Sequence, residues 1–316
     1  MNEQVIEETK AQEKNTLDRE MAHFSPEDWD NGTFGVQTWL ERTAWKTLSS
    51  TEYGFSKNNV APPNQAIWED PLLNQIYKLD LATFLNAEHL SVEGISAMVG
   101  FAPDEGSQIF LTTQAFDEAR HFEVFCRRLA DLGMTPEARK NMVNAVKTKE
   151  MRTFFDLIRE QVDKKDYIAA ILAHNVILEG MAYPVYRYEI KYWSRLDPGL
   201  SQIIQGAFAD EVHHVTYGES FIREQIRKSV KTRNQVSRLA REFSGLMTDV
   251  FESVIYHYIG LYQEAANSYI DIMGDIKIFG NKRIAELTEE DQVRLLLEEV
   301  QAEYHKRLKT IGLTLD

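Results

Sequence analysis

Apolar residues recur along most of this chain every three to four positions, the spacing of helices with one buried face. Glycine and proline are sparse, and no convincing segment alternates apolar and polar residues as a half-buried strand does. The one Asn-Gly pair, Asn31–Gly32, lies in a polar stretch rather than between two such segments. The pattern therefore predicts an all-α fold, most simply one helical bundle.

Long helices are predicted throughout the region after residue 70. They cover about 71–100, 103–133, 136–161, 165–193, 198–230, 232–266 and 288–311. Pro71 suits a first helical turn, and Asp104 suits a helix N-terminus. Thr288 and Asp291 have the spacing of a capping box. These signals support three of the predicted starts.

Three regions are distinguished along the chain. Residues 1–25 are polar and are predicted to form a tail. Residues 26–70 contain four of the five tryptophans and are predicted to form short helices and loops packed on one end of the bundle. Residues 71–316 are predicted to form the helical domain, including its C-terminal helices.

Composition and charge narrow the function. Of 316 residues, 35 are Lys or Arg and 49 are Asp or Glu, so the net charge of −14 disfavours a nucleic-acid partner. The one cysteine, Cys126, excludes an intrachain disulfide and fits a reducing compartment. We see no apolar stretch that would span a membrane, and the polar N-terminus has no apolar signal core. We therefore expect a cytoplasmic protein without a membrane partner.

Candidate metal chemistry comes from two related motifs, Asp-Glu-Ala-Arg-His at 117–121 and Asp-Glu-Val-His-His at 210–214. In each, Glu and His are three residues apart and therefore share one helix face. The faces around Glu118 and Glu211 are otherwise apolar, and a buried carboxylate is costly unless it is neutralised or paired. A metal ion meets that need.

Two further helices are expected to supply one carboxylate each. Glu179 lies on an apolar face with no Lys or Arg one turn away. On the first long helix, Glu88 competes with Glu93. The face of Glu88 is apolar, whereas that of Glu93 is polar, so Glu88 is preferred. The predicted metal ligands are Glu88, Glu118, His121, Glu179, Glu211 and His214.

This ligand set suits two divalent cations. Four carboxylates balance their charge, and mixed oxygen and imidazole ligation favours iron or manganese over zinc. A ligating histidine usually donates its second N–H to a carboxylate. We expect Asp117 to serve His214 and Asp210 to serve His121, each across the bundle.

These residues resemble the ferritin-like di-metal carboxylate superfamily over about residues 70–265. Phe-Leu-Thr-Thr at 110–113, leading into Asp-Glu-Ala-Arg-His, resembles the ribonucleotide reductase small-subunit group, and most closely its ligand-binding oxidases. The hydroxylase subunits of bacterial multicomponent monooxygenases have similar motifs but usually longer chains. The resemblance implies a ferritin-like four-helix bundle core with additional N- and C-terminal helices, and a homodimer. It also implies a cofactor of two iron ions, or of one manganese and one iron.

The sequence departs from these relatives at informative positions. Phe125 stands where reductase small subunits usually carry a radical tyrosine. His174 and Ser91 stand where ligand-binding oxidases have a cross-linked tyrosine and valine. Ala207 stands where arylamine N-oxygenases add a histidine ligand, and His213 replaces a common arginine. The pattern indicates an outlying member with its own substrate.

Other residues are expected to shape the site. His174 and Tyr183 are candidate catalytic residues, and Pro184 predicts a kink or bulge that opens space beside the metals. The predicted cavity-lining residues, each one turn from a ligand, are Phe84, Val92, Ala115, Phe122, Val176 and Phe208. A mostly apolar lining suggests an apolar or amphipathic small-molecule substrate.

The predicted function is a di-metal oxidase or oxygenase that uses dioxygen and an external electron donor to oxidise a C–H or N–H bond. The alternatives are a radical-generating reductase-like small subunit and a ferritin-like protein that oxidises or binds iron. Phe125 counts against the first alternative, and the length of the chain counts against the second.

Overall fold

Helices account for nearly all of the computed structural model, which describes Trp39 and residues 62–313. The predicted tail and most of the Trp-rich segment lie outside the described residues. The helices are α1 (Ala66–Glu69), α2 (Pro71–Val99), α3 (Glu105–Asp131), α4 (Pro136–Val146), α5 (Lys149–Asp163), α6 (Tyr167–Trp193), α7 (Pro198–Lys228), α8 (Val230–Ser268), α9 (Ile270–Met273) and α10 (Glu289–Ile311). The all-α prediction is confirmed.

Polar side chains cap the helix starts, as the sequence signals predict. Asp70 accepts hydrogen bonds from the main-chain N–H groups of Leu72 and Leu73, with Pro71 in the first turn of α2. Asp104 caps α3 in the same way. Thr288 and Asp291 form the predicted reciprocal capping box at α10.

Two helix pairs build the core. Short connections join α2 to α3 and α6 to α7, so each pair runs antiparallel and packs along its length. Helix α8 covers α5 and the middle of α6, and α10 packs on α6 and α8. At one end, Tyr77 of α2 donates a 2.6 Å hydrogen bond to Asp197, which caps α7 and also binds Arg128 of α3.

Local structure differs from the prediction in three places. The predicted helix 136–161 is two helices, because Lys147 is extended and the Thr148 hydroxyl caps a new start at 3.1 Å from Met151 N. No Gly or Pro marks that break. A two-stranded hairpin, β1 (Lys277–Phe279) and β2 (Lys282–Arg283), precedes a 3₁₀ turn (Ile284–Glu286) and was not predicted. Finally, α6 contains a π-helical segment that ends before Pro184, whereas the kink or bulge was predicted at Pro184 itself.

Helix α6 has three parts: α-helix at Tyr167–Ile171, π-helix at Leu172–Glu179 and α-helix at Gly180–Trp193. The π-helix ends five residues before Pro184, which lies inside the last part. By length and composition α6 is also apolar enough to cross a membrane, contrary to our expectation from sequence. In the structure, 78% of its most apolar window is buried, as in a core helix.

Candidate metal centre

The six predicted metal ligands converge at mid-height in the bundle. They form two overlapping groups whose ligand atoms lie within 4.8 Å of one another. One group is Glu88, Glu118, His121 and Glu211, and the other is Glu118, Glu179, Glu211 and His214. Glu118 and Glu211 belong to both groups, so the six residues together would hold a metal pair.

The preference for Glu88 over Glu93 agrees with this geometry. Glu88 is 2% exposed and its Oε2 lies 3.4 Å from His121 Nδ1. The Glu93 side chain is half-exposed and lies near His89 and Arg159 at the surface. The two glutamates are five residues apart on α2 and therefore lie on different faces, one buried in the candidate site and one solvated.

Both histidines present Nδ1 to the carboxylates. His121 Nδ1 lies 3.8 Å from Glu118 and 3.7 Å from Glu211. His214 Nδ1 lies 3.4 Å from Glu118 and 3.3 Å from Glu211. The three-residue spacing on α3 and α7 brings each histidine beside its own glutamate, and helix packing brings it beside the other.

The Nε2 atom of each histidine contacts an aspartate on the other helix of the α3–α7 pair. His121 Nε2 is 3.0 Å from Asp210 Oδ2, and His214 Nε2 is 3.4 Å from Asp117 Oδ2. This is the pairing expected from sequence. A carboxylate that accepts the Nε2–H leaves the Nδ1 lone pair free for a metal.

Sequence reasoning missed two residues behind this pairing. Arg120 of α3 lies 2.6 Å from Asp117 and 3.2 Å from Asp210, so one guanidinium joins both carboxylates. Trp39 donates its indole N–H to Asp117 Oδ2 at 2.7 Å. Arg120 stands within the Asp-Glu-Ala-Arg-His motif, which is the signal that could have identified it.

Burial and repulsion among the carboxylates favour protonation of the candidate ligands when no metal is bound. Burial raises the pKa of Glu88, Glu179 and Glu211, and neighbouring carboxylates add to the effect. Burial opposes ionisation of His121 and His214 as well, yet the surrounding carboxylates raise the pKa of both imidazoles. Protons therefore supply the positive charge that metal ions would supply on binding.

The donor set fits two metal ions. Glu88 Oε1, His121 Nδ1 and Glu179 Oε2 are buried and have no hydrogen-bond partner. All six side chains are at most 5% exposed, so water cannot solvate four carboxylates there. Divalent cations would satisfy these atoms and offset the charge.

The π-helix brings His174 beside Glu179. It bonds each residue to the fifth one along, so side chains five apart share a face. His174 Nδ1 lies 3.0 Å from Glu179 Oε1, and burial lowers the pKa of this imidazole to about 4, so it is neutral. Gln114 also binds Glu179 Oε1, at 2.8 Å, and receives a hydrogen bond from Asn175; sequence reasoning missed this amide pair.

Tyr183 lies beside the site without facing the ligand atoms. Its hydroxyl donates to the main-chain oxygen of Glu211 at 3.3 Å, and Arg307 covers its ring. Tyr186, one turn along, donates instead to the Glu211 carboxylate at 3.3 Å. Of the two tyrosines, Tyr186 is thus the one that hydrogen bonds to a carboxylate of the predicted ligand set.

A cavity of about 160 Å³ adjoins the carboxylates. Glu88, Glu179 and Glu211 form one end of its wall. Apolar side chains form most of the remainder, including Met151, Phe155, Leu178, Met247, Val250, Phe251 and Ile255. Helix α8, from which no lining residue was predicted, closes one side.

Phe84 lines this cavity as predicted, but the other five predicted residues do not. Val176 packs against Gly218 of α7, and Phe208 stacks on Tyr186. Phe122 packs near His89 on the surface side, while Ala115 and Val92 are only partly buried. The lining residues were predicted by choosing residues one helical turn from a ligand, which finds neighbours on the same helix. This cavity instead opens towards α8.

Comparison with known proteins identifies the family. The model of the ribonucleotide reductase small-chain family matches residues 73–281. An R2-like ligand-binding oxidase with a reconstituted Mn/Fe cofactor has a TM-score of 0.63 and 18% identity, covering 90% of this chain and 94% of that chain. The same oxidase type without metal has a TM-score of 0.60 and 18% identity, covering 87% and 98%.

A more distant fold relative is a protein with aldehyde deformylating oxidase activity from Synechococcus. Its TM-score is 0.51 at 14% identity, covering 78% of this chain and 94% of that chain. At such identities the likeness shows the ferritin-like fold alone. No curated protein matches the chain.

Proposed function

Since the chain belongs to the ribonucleotide reductase small-chain family, we propose that it is a dioxygen-activating di-metal oxidase or oxygenase. Its substrate is a small apolar or amphipathic molecule, oxidised at a C–H or N–H bond. The cofactor is two iron ions, or one manganese and one iron. We further propose that the protein is a cytoplasmic homodimer and that it receives electrons from an external donor.

The main support for this proposal is that some of the candidate metal ligands also line the cavity. Glu88, Glu179 and Glu211 belong both to the metal-binding groups and to the cavity lining. A molecule in the cavity therefore touches the side chains that would hold the metals. A buried metal site used only for structure needs no such space.

The residues of the site have distinct tasks in this proposal. When bound, the metal pair supplies the redox chemistry that activates dioxygen. Asp117 and Asp210 hold the two imidazoles in orientation. Phe84 and Tyr186 line the cavity with their rings tilted against each other, 5.6 Å apart, and exclude water from the carboxylates.

Position 125 argues against a tyrosyl-radical reductase subunit. Phe125 is fully buried and stacks on Phe84, with ring centroids 4.8 Å apart. Its ring has no hydroxyl to lose a proton and an electron. The chain therefore has the fold of the reductase small-chain family but lacks the tyrosine that a tyrosyl-radical subunit requires at this position.

Oxygen consumption tests the proposal. The chain loaded anaerobically with ferrous iron, alone or with manganese, is mixed with oxygenated buffer. We expect stoichiometric oxygen uptake by the wild type and loss of uptake in Glu179→Ala. Unchanged uptake in the variant, or none by a metal-loaded wild type, would contradict the proposal. A stable radical signal after oxygen exposure would favour the reductase alternative.

A further inference from the structure

The cavity has a second polar end, built by Asp80 of α2 and Glu189 of α6. Trp193 donates its indole N–H to both carboxyl groups, at 2.6 Å to Asp80 Oδ2 and 3.1 Å to Glu189 Oε2. Tyr262 of α8 lines the same end. Asp80 keeps some accessible surface although it lies deep in the bundle, because it borders the open space.

No basic side chain offsets this acid pair. Among the described residues, no Lys, Arg or His forms an ion pair with Asp80 or Glu189, and none lines the cavity. Burial raises the pKa of both carboxyl groups, and the proximity of Asp80 raises that of Glu189 further. The two carboxyl groups also hydrogen bond to each other and to Tyr262, so a shared proton supplies the positive charge that a cationic group in the cavity could replace.

The end nearest the candidate metal centre has carboxylate oxygens without hydrogen-bond partners. Glu88 Oε1 and Glu179 Oε2 line the cavity and make no hydrogen bond, although both residues are more than nine-tenths buried. Between the two ends the wall is formed by apolar groups, among them Ala87, Ala182 and Val185. The cavity is thus polar at both ends and apolar between them.

Helix geometry sets the separation of the ends. Asp80 and Glu88 are eight residues apart on α2, and Glu179 and Glu189 are ten apart on α6. At the rise of an α-helix the ends lie about 12–15 Å apart along the axis. The cavity volume of about 160 Å³ is close to that of cavities of about 150 Å³ that hold benzene. A slender molecule of about six to eight non-hydrogen atoms fits both measures.

We propose that the cavity binds a slender aliphatic primary amine, with its ammonium group on Asp80 and Glu189 and its carbon chain directed towards Glu88 and Glu179. This assignment rests on the proposed di-metal function and specifies its substrate class. An ammonium offers three donors to the carboxyl oxygens, whereas a carboxylate ligand would meet only acids at that end. A carbon atom, rather than the nitrogen, then lies next to the metal-binding carboxylates.

Calorimetric titration of anaerobic protein loaded with Mn²⁺ tests this proposal, since bound metal keeps the ammonium from the metal-site carboxylates. The probes are n-hexylamine, 1-hexanol and hexanoate. We expect n-hexylamine to bind at least about tenfold more tightly than 1-hexanol, as a charge-assisted bond to a buried carboxylate requires. Glu189→Gln and Asp80→Asn should abolish that preference and keep hexanol affinity. The exposed-site variant Glu252→Gln, on α8, is the matched control.

Other outcomes overturn the assignment. Equal affinity for n-hexylamine and 1-hexanol, or tighter binding of hexanoate, would mean that Asp80 and Glu189 only anchor Trp193. These comparisons need the wild type alone, so a variant that fails to fold does not decide the matter. If the chain binds no metal, the di-metal function fails, and titration of the metal-free wild type against Glu189→Gln still tests the amine site.

Discussion

The Nε2 atom of His121 in α3 lies 3.0 Å from Oδ2 of Asp210 in α7. His214 of α7 is related in the same way to Asp117 of α3, at 3.4 Å. Each helix therefore supplies a Glu-x-x-His pair and also orients the histidine of the other helix. Arg120 bridges the two aspartates, so the two histidines and the two aspartates form one connected network behind the candidate metal centre.

We predict that Asp210→Asn weakens metal binding about 10- to 100-fold, the usual effect of losing the carboxylate behind a metal-binding histidine. The amide still fits but no longer fixes His121 with a charge. Competition against a calibrated chelator measures the change. Asp156→Asn, at an exposed aspartate of α5, is the control. Wild-type affinity in Asp210→Asn would show that the contact does not support the metal.

Gly218→Ala should destabilise the fold by about 1–3 kcal/mol through overpacking. A Cβ at Gly218 of α7 would meet the Cβ of Asn175 at 2.6 Å, and two helix backbones would have to separate. Gly245→Ala in α8 is the matched control, because nothing lies within 4 Å of its Cβ and alanine favours helix. Urea unfolding compares them; equal stability of both variants would refute the close contact.

Glu189→Gln should gain stability relative to the wild type as the pH rises. Burial raises the pKa of Glu189 well above its usual value of 4.5, and the nearby Asp80 adds to the shift. A carboxyl with a raised pKa in the folded state contributes stability below pH 4.5 that is lost as the pH climbs through the folded-state pKa.

The measurement is the free energy of unfolding of both proteins at pH 5, 7 and 9, in one metal state. The wild type should lose up to about 1.4 kcal/mol per pH unit relative to the variant within the titration window. Glu252→Gln, whose side chain is exposed, corrects for the general charge effect. A pH-independent difference between wild type and Glu189→Gln would contradict the burial of an ionisable pair.

Removing metal should lower the melting temperature. Ions that bind the folded chain alone stabilise it by mass action, and here they also relieve repulsion among four buried carboxylates. Differential scanning fluorimetry with and without chelator measures the shift, which should shrink in Glu179→Ala. A melting temperature that chelator leaves unchanged in the metal-loaded wild type would oppose the assignment.

The convergence of the six candidate ligands could be predicted from the sequence because the determining pattern is local. Glu118 and His121 are three apart, as are Glu211 and His214, and helix periodicity alone places each pair on one face. Glu179 was recognisable as a carboxylate on an apolar face without a nearby cation. The crosswise role of Asp117 followed from the need to orient an imidazole, and the observed contact agrees with it.

Other features depend on contacts between distant helices and could not be predicted this way. The π-helix that brings His174 beside Glu179 has no distinctive composition. The cavity opens towards α8, so choosing residues one helical turn from a ligand assigned Val176 and Phe208 to its wall incorrectly. The acid pair of Asp80 and Glu189 becomes visible only when α2 and α6 are packed together.

The metal content of the purified chain tests the central claim most directly. Protein expressed with iron and manganese available is analysed by elemental mass spectrometry, beside Glu179→Ala. We predict about two transition-metal ions per wild-type chain, from the two overlapping ligand groups, and a clear loss in the variant. No bound transition metal in the wild type, even after reconstitution with ferrous iron, would contradict the account.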